Sequence, residues 1–140
     1  MNLNDNLSAH FTLGELTHSD TALRLGIKNL PSDEIIENLK KLCALGLERV
    51  RSVCGDSPLI VSSGYRCLKL NRAIKSKDTS QHILGCAADF TVLGQNVKDT
   101  FAKIKDGDFD YDQLIIEYNR WIHFSISPTG DNRKEAFGIF

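Results

Sequence analysis

The chain has 140 residues, 41% of them apolar and 25% charged, with a formal net charge of −1. One ordinary domain spanning residues 1–140 accounts for that length, and it can bury a core without disulfide staples. The near-neutral balance gives no basic field for nucleic acid or anionic lipid, and no apolar run approaches the ~20 residues of a membrane span.

The opening MNLNDNLSAHF lacks the basic-then-apolar order of a secretory signal, which predicts cytoplasmic synthesis without a signal peptide. Thr12 with Glu15 three residues on is the capping-box signature of a short helix. SDTALRLGI predicts a second short helix, stopped at Gly26. Ser32 is the expected N-cap of a long helix with Asp33 and Glu34 in its first turn. Ile35, Ile36, Leu39, Leu42, Cys43, Val50, Val53 and Cys54 give that helix an apolar stripe, and Gly55 ends it. No two of Cys43, Cys54, Cys67 and Cys86 stand at C-x-x-C spacing, so all four are expected to be reduced and packed.

PLIVSS then reads as a buried strand, LKLNRAI as a short amphipathic piece and KSKDTS as a polar loop. CAADFTVL predicts a strand from about Cys86 to Leu93. NVKDTFAKI predicts a helix capped by Asn96 that buries Val97, Phe101 and Ile104. YDQLIIEY and RWIHFSI read as an antiparallel hairpin turning near Asn119, and AFGIF as a closing edge strand. The sum is a single α+β domain, with helices first and a small antiparallel sheet after.

Three residues in the second half carry donor atoms for a metal. His82 lies in the loop entering a strand, Asp89 within that strand, and His123 in the last strand of the hairpin. Neighbouring strands stand about 5 Å apart, so Asp89 and His123 can project from one face to one point that His82 reaches from its loop. Two imidazole nitrogens and a carboxylate oxygen suit tetrahedral Zn²⁺ with a fourth position for water. Gly85, Ala87 and Ala88 are small enough to leave space and let the chain turn there. His82 and Asp89 also read as a polar loop entering a buried strand, and spacing alone leaves both readings open. Cys86, in a strand, would alternate away from Asp89. His10 and His18 read as surface or capping residues.

The ordered set SGYRCLKLN, SQHILGCAADF and WIHFS resembles the M15 family of zinc peptidases, the group of D-Ala-D-Ala carboxypeptidases and phage endolysins. The family pattern Ser-x-His-x-x-Gly-x-Ala-x-Asp is met by Ser80, His82, Gly85, Ala87 and Asp89, and the later family histidine corresponds to His123. The lead-in HFTLGELTHSDTALRLGI is similar to the phage and bacterial subgroup. The resemblance implies the small α+β fold shared with the Hedgehog signalling domain and one zinc on His82, Asp89 and His123. It also implies Arg66 as the arginine that assists at the oxyanion, and a peptidoglycan stem or crosslink peptide as substrate. Ser80 and Gln81, flanking the first ligand, are candidate substrate-binding residues. With no signal and no attached wall-binding domain, the expectation is a monomeric phage or prophage wall hydrolase. It would act after release or as part of a phage particle, with no nucleic-acid partner and no membrane insertion. The alternative is a zinc-stabilised binding module without activity.

The proton-transfer group departs from a familiar family form. Many members carry Glu-x-x-His, but here the position three before His123 is Arg120, which stays protonated. The nearest upstream carboxylate is Glu117. A three-residue hairpin loop, Tyr118 to Arg120, pairs Glu117 with Trp121 and Ile115 with His123, so that Glu117 and His123 share a face. A two-residue loop turns Glu117 to the other face. Glu117 is the expected general base, with Asp112 as the fallback on the same strand.

Overall fold

The computed structural model describes residues 1–140. Three N-terminal segments are helical as their caps predict. The helix α1 (Leu13–Thr17) opens on a complete capping box between Thr12 and Glu15, and α2 (Asp20–Leu25) ends on Gly26 in the left-handed region at φ 67°. α3 (Asp33–Leu42) begins where the Ser32 side chain accepts a hydrogen bond from Ile35 N.

The expected single long helix is interrupted. After α3 the chain makes a π turn, Cys43–Leu47, and then resumes as α4 (Glu48–Val53). Gly46 sits in this turn against the sheet, where an added Cβ would fall 2.5 Å from Phe124 Cε1. The extra residue of the π turn re-phases the apolar stripe, so Cys43, Leu47, Val50 and Cys54 are all buried. All four cysteines are free, and burial pushes the Cys86 thiol up to about 11.

Five strands follow: β1 (Leu59–Ser63), β2 (Ala87–Val92), β3 (Gln113–Glu117), β4 (Trp121–Ser125) and β5 (Glu135–Ile139). A short helix, α5 (Leu68–Ala73), and a 3₁₀ turn, Gln81–Leu84, lie between β1 and β2, and α6 (Val97–Lys105) lies between β2 and β3. The sheet order is β1-β2-β4-β3-β5. The pairings β1–β2, β2–β4 and β3–β4 are antiparallel, but β5 lies parallel to β3, so the sheet is mixed rather than wholly antiparallel. The hairpin occupies one edge of β3 with β4. The chain leaving β4 therefore wraps round the end of the sheet through residues 126–134 and joins the free edge, starting beside Gln113. No helix is long and apolar enough to cross a membrane.

One face of the sheet carries Ala88, Phe90, Val92, Leu114, Ile116, Ile122 and Phe124, all buried in a core with Leu39, Leu42, Leu47, Val50 and Ile104 from the helices. The strand period of two sends the alternate residues, Asp89, Ile115, Glu117, Trp121 and His123, to the opposite face.

Candidate metal centre

Asp89 and His123 are directly opposed across β2 and β4, and Ser63 of β1 is opposite Asp89 on the other side. His82 enters from the 3₁₀ turn, which is capped by the Ser80 hydroxyl accepting from His82 N at 3.3 Å. Gly85 closes that turn in the left-handed region at φ 71°. The turn expected at Gly85 is present, but the space it frees is taken by α3: a Cβ there would lie 2.9 Å from Ile35 Cγ2.

The three side chains converge on one oxygen. His123 Nδ1 is 3.0 Å and His82 Nε2 is 3.4 Å from Asp89 Oδ1, and all three ligand atoms lie within 4.8 Å of one another. Ligands about 2.0–2.1 Å from a tetrahedral ion stand roughly 3.3 Å apart, so the two distances to Asp89 Oδ1 suit zinc. The ring environment of His82 supports the same fit. His82 is buried, and its Nδ1 lies 2.7 Å from the carbonyl oxygen of Gly64, which can only accept. Nδ1 therefore carries the proton, and in the neutral ring the Nε2 lone pair faces a carboxylate. Two lone pairs turned on each other require a cation between them, a proton or a metal. Burial works to raise the Asp89 carboxyl, but the His82 charge and the His123 hydrogen bond outweigh it and hold the group far below the usual carboxylate range.

Gly64 is a member of this centre that sequence reasoning missed, because its contribution is a carbonyl. Its only signal was its place in SGYR, directly before Tyr65 and Arg66.

The loop between β3 and β4 is the three-residue form. Glu117 pairs with Trp121 and Ile115 with His123, and Arg120 N donates to Glu117 O at 2.9 Å. Tyr118 and Asn119 take left-handed backbone, φ 55° and 53°. Glu117 therefore lies on the same face as His123, half-buried, with no side-chain hydrogen bond of its own. Arg66 leaves the end of β1, and its Nη2 donates to Ser80 Oγ at 3.3 Å. Burial lowers the Arg66 guanidinium from its usual value, while Asp89 and Glu117 are near enough to oppose that effect. Its Nε is buried without a partner. Tyr65 is buried, and the Trp121 ring packs against Tyr118 with centroids 5.6 Å apart.

Two other residues stand differently from their expected roles. Asp112 does not share the strand of Glu117: it lies just before β3, which begins at Gln113. Its carboxylate is buried and occupied by Arg133 and Gln81, which leaves no free lone pair for proton transfer. Gln81, expected to bind substrate, donates an amide N–H to Asp112 Oδ2 at 2.8 Å.

The family model described as Peptidase M15 matches residues 9–125, well over half of the chain. No curated protein matches it.

Proposed function

The chain belongs to the peptidase M15 family, and from that premise we propose a zinc-dependent peptidase that hydrolyses peptidoglycan stem or crosslink peptides, acting as a phage or prophage cell-wall hydrolase. The observation that carries this reading is the convergence of His82, Asp89 and His123 on one sheet face that also bears Glu117. His82, through Nε2, His123, through Nδ1, and Asp89 would hold the ion. Zinc, when bound, supplies Lewis acidity toward the scissile carbonyl and makes water nucleophilic near neutral pH.

The remaining chemistry falls to the chain. Glu117 takes a proton from the attacking water and returns it to the leaving amine, a role open to a carboxylate with no other partner. Arg66 offers a fixed positive charge to the developing oxyanion, and Ser80 holds one of its nitrogens in place. Gln81 is left with an acceptor oxygen for a substrate N–H.

The test is incubation of zinc-loaded protein with purified peptidoglycan, with and without a chelator, and mass spectrometry of what is released. Peptide fragments or free D-alanine are expected only without chelator, and the fragment masses separate carboxypeptidase from endopeptidase action. Intact wall after treatment with protein shown to contain zinc would overturn the substrate assignment.

A further inference from the structure

Asp112 is 2% exposed, and its carboxylate accepts four hydrogen bonds. Arg133 N and Nε donate to Oδ1 at 2.9 and 3.0 Å, and Arg133 Nη2 and Gln81 Nε2 donate to Oδ2 at 2.7 and 2.8 Å. A carboxylate has about four lone-pair sites, so none is left over. The donors come from two segments remote in sequence. Arg133 belongs to the crossover between β4 and β5, and Gln81 is the first residue of the turn that presents His82.

A 3₁₀ turn of four residues has poor intrinsic stability. This one is tied at its start by Ser80, and at its end by Gly85 N on His82 O and Cys86 N on Gln81 O. The His82 ring is tied on one side to Gly64. The Gln81 side chain adds a tie from another direction, and because its acceptor is an ionised carboxylate it is the strong, charge-assisted kind. That anion stays buried only because Arg133 matches it with a bidentate fork.

We propose that Asp112, countered by Arg133, is a positioning residue that fixes the His82 turn through Gln81. The site then depends on a residue of the crossover, which lies beyond the 9–125 segment matched by the family model. Gln81 joins the two: its amide nitrogen faces the clamp, and its neighbour in the chain is a metal ligand. The proposal rests on the metal-centre reading for its functional meaning but not for its test.

The test is amide hydrogen exchange by NMR on the metal-free 140-residue chain. Gln81→Ala removes the tie and leaves the Asp112–Arg133 pair in place. Arg133→Ala removes the countercharge. Each is expected to speed exchange of the Gly85 and Cys86 amides by about tenfold while the ladder between β2 and β4 keeps its protection. The double variant is expected to exchange no faster than the faster single variant, because both act through one carboxylate. Wild-type exchange at Gly85 and Cys86 in Gln81→Ala, or multiplicative effects in the double variant, would overturn the proposal. If Arg133→Ala does not fold, Gln81→Ala alone decides. A parallel zinc titration against a competing chelator is expected to show about 10–100-fold weaker binding in Gln81→Ala. A wild type that takes up no zinc would overturn the metal reading, and the exchange rates would still decide the positioning role.

Discussion

The two faces of the sheet are built from the same strands and obey different rules. On the helix side, Phe90, Leu114, Ile122 and Phe124 are fully buried among other apolar side chains. On the other side, one residue along, Asp89, His123 and Glu117 hold polar atoms in places only partly open to water. The first face is stabilised by removing apolar surface from water, about 1.5–3 kcal/mol for a large side chain. The second must offset the desolvation of a carboxylate, which it does by turning two imidazoles toward Asp89. A pleated strand separates stability from chemistry by a single residue, so substitutions at neighbouring positions should fail in different ways.

The sharpest form of that contrast sets Glu117 against Phe124. Glu117→Gln is expected to lower turnover by roughly 10²–10⁴-fold on a wall peptide while zinc content and the melting curve stay as in the wild type. Near-normal turnover would remove Glu117 from the chemistry. Phe124→Ala should do the converse. It deletes a ring that packs against Gly46 and Tyr111, at a cost of about 3–5 kcal/mol in urea unfolding. The folded fraction is expected to keep its zinc. Arg66→Ala comes next: a loss of roughly 10²–10³-fold in turnover, as for a missing oxyanion donor, with KM little changed. A loss confined to KM would make Arg66 a substrate-binding group instead.

The smallest effect concerns acid. Arg133 holds the Asp112 carboxyl down at about 2, below its ordinary value near 3.8. Its contribution is therefore complete above about pH 4 and disappears as pH falls through 2. Because Arg133 is half exposed, solvent screening keeps this near 1 kcal/mol. Between pH 5 and pH 2 the wild type is expected to lose about that much more stability than Asp112→Asn, measured by urea midpoints. An equal loss in both would place the acid sensitivity elsewhere.

Local signals were the legible ones. Thr12 with Glu15, Ser32 and Asn96 all cap helices as written, because a cap is decided within four residues. The hairpin reduced to a choice between two loop lengths, and the three-residue form puts Glu117 on the side of His123. What sequence could not display was decided by tertiary contact. The π turn packs its Gly46 against Phe124, far along the chain, and a window that reads 3.6-residue spacing runs straight across it. The parallel course of β5 depends on which edge of β3 remained free, which AFGIF does not encode. Asp112 looked like a spare base because its true partner stands 21 residues away in a loop with no pattern of its own. Gly64 was silent because its side chain is absent and its carbonyl does the binding.

That carbonyl carries a constraint on descent. Gly64 lies so close to α1 that a Cβ would sit 2.3 Å from Leu16 O, the same oxygen that accepts from Tyr65 N at 2.7 Å. A lineage that acquired even alanine at position 64 would have to push its first helix aside, and the carbonyl that holds the His82 proton on Nδ1 would move with it. Any selection on the His82 ring is thereby exported to a position with no side chain, and to a helix that contributes none of the three donor atoms. Across related sequences, tolerance at 64 should track the packing of the first helix and not the chemistry of its own residue.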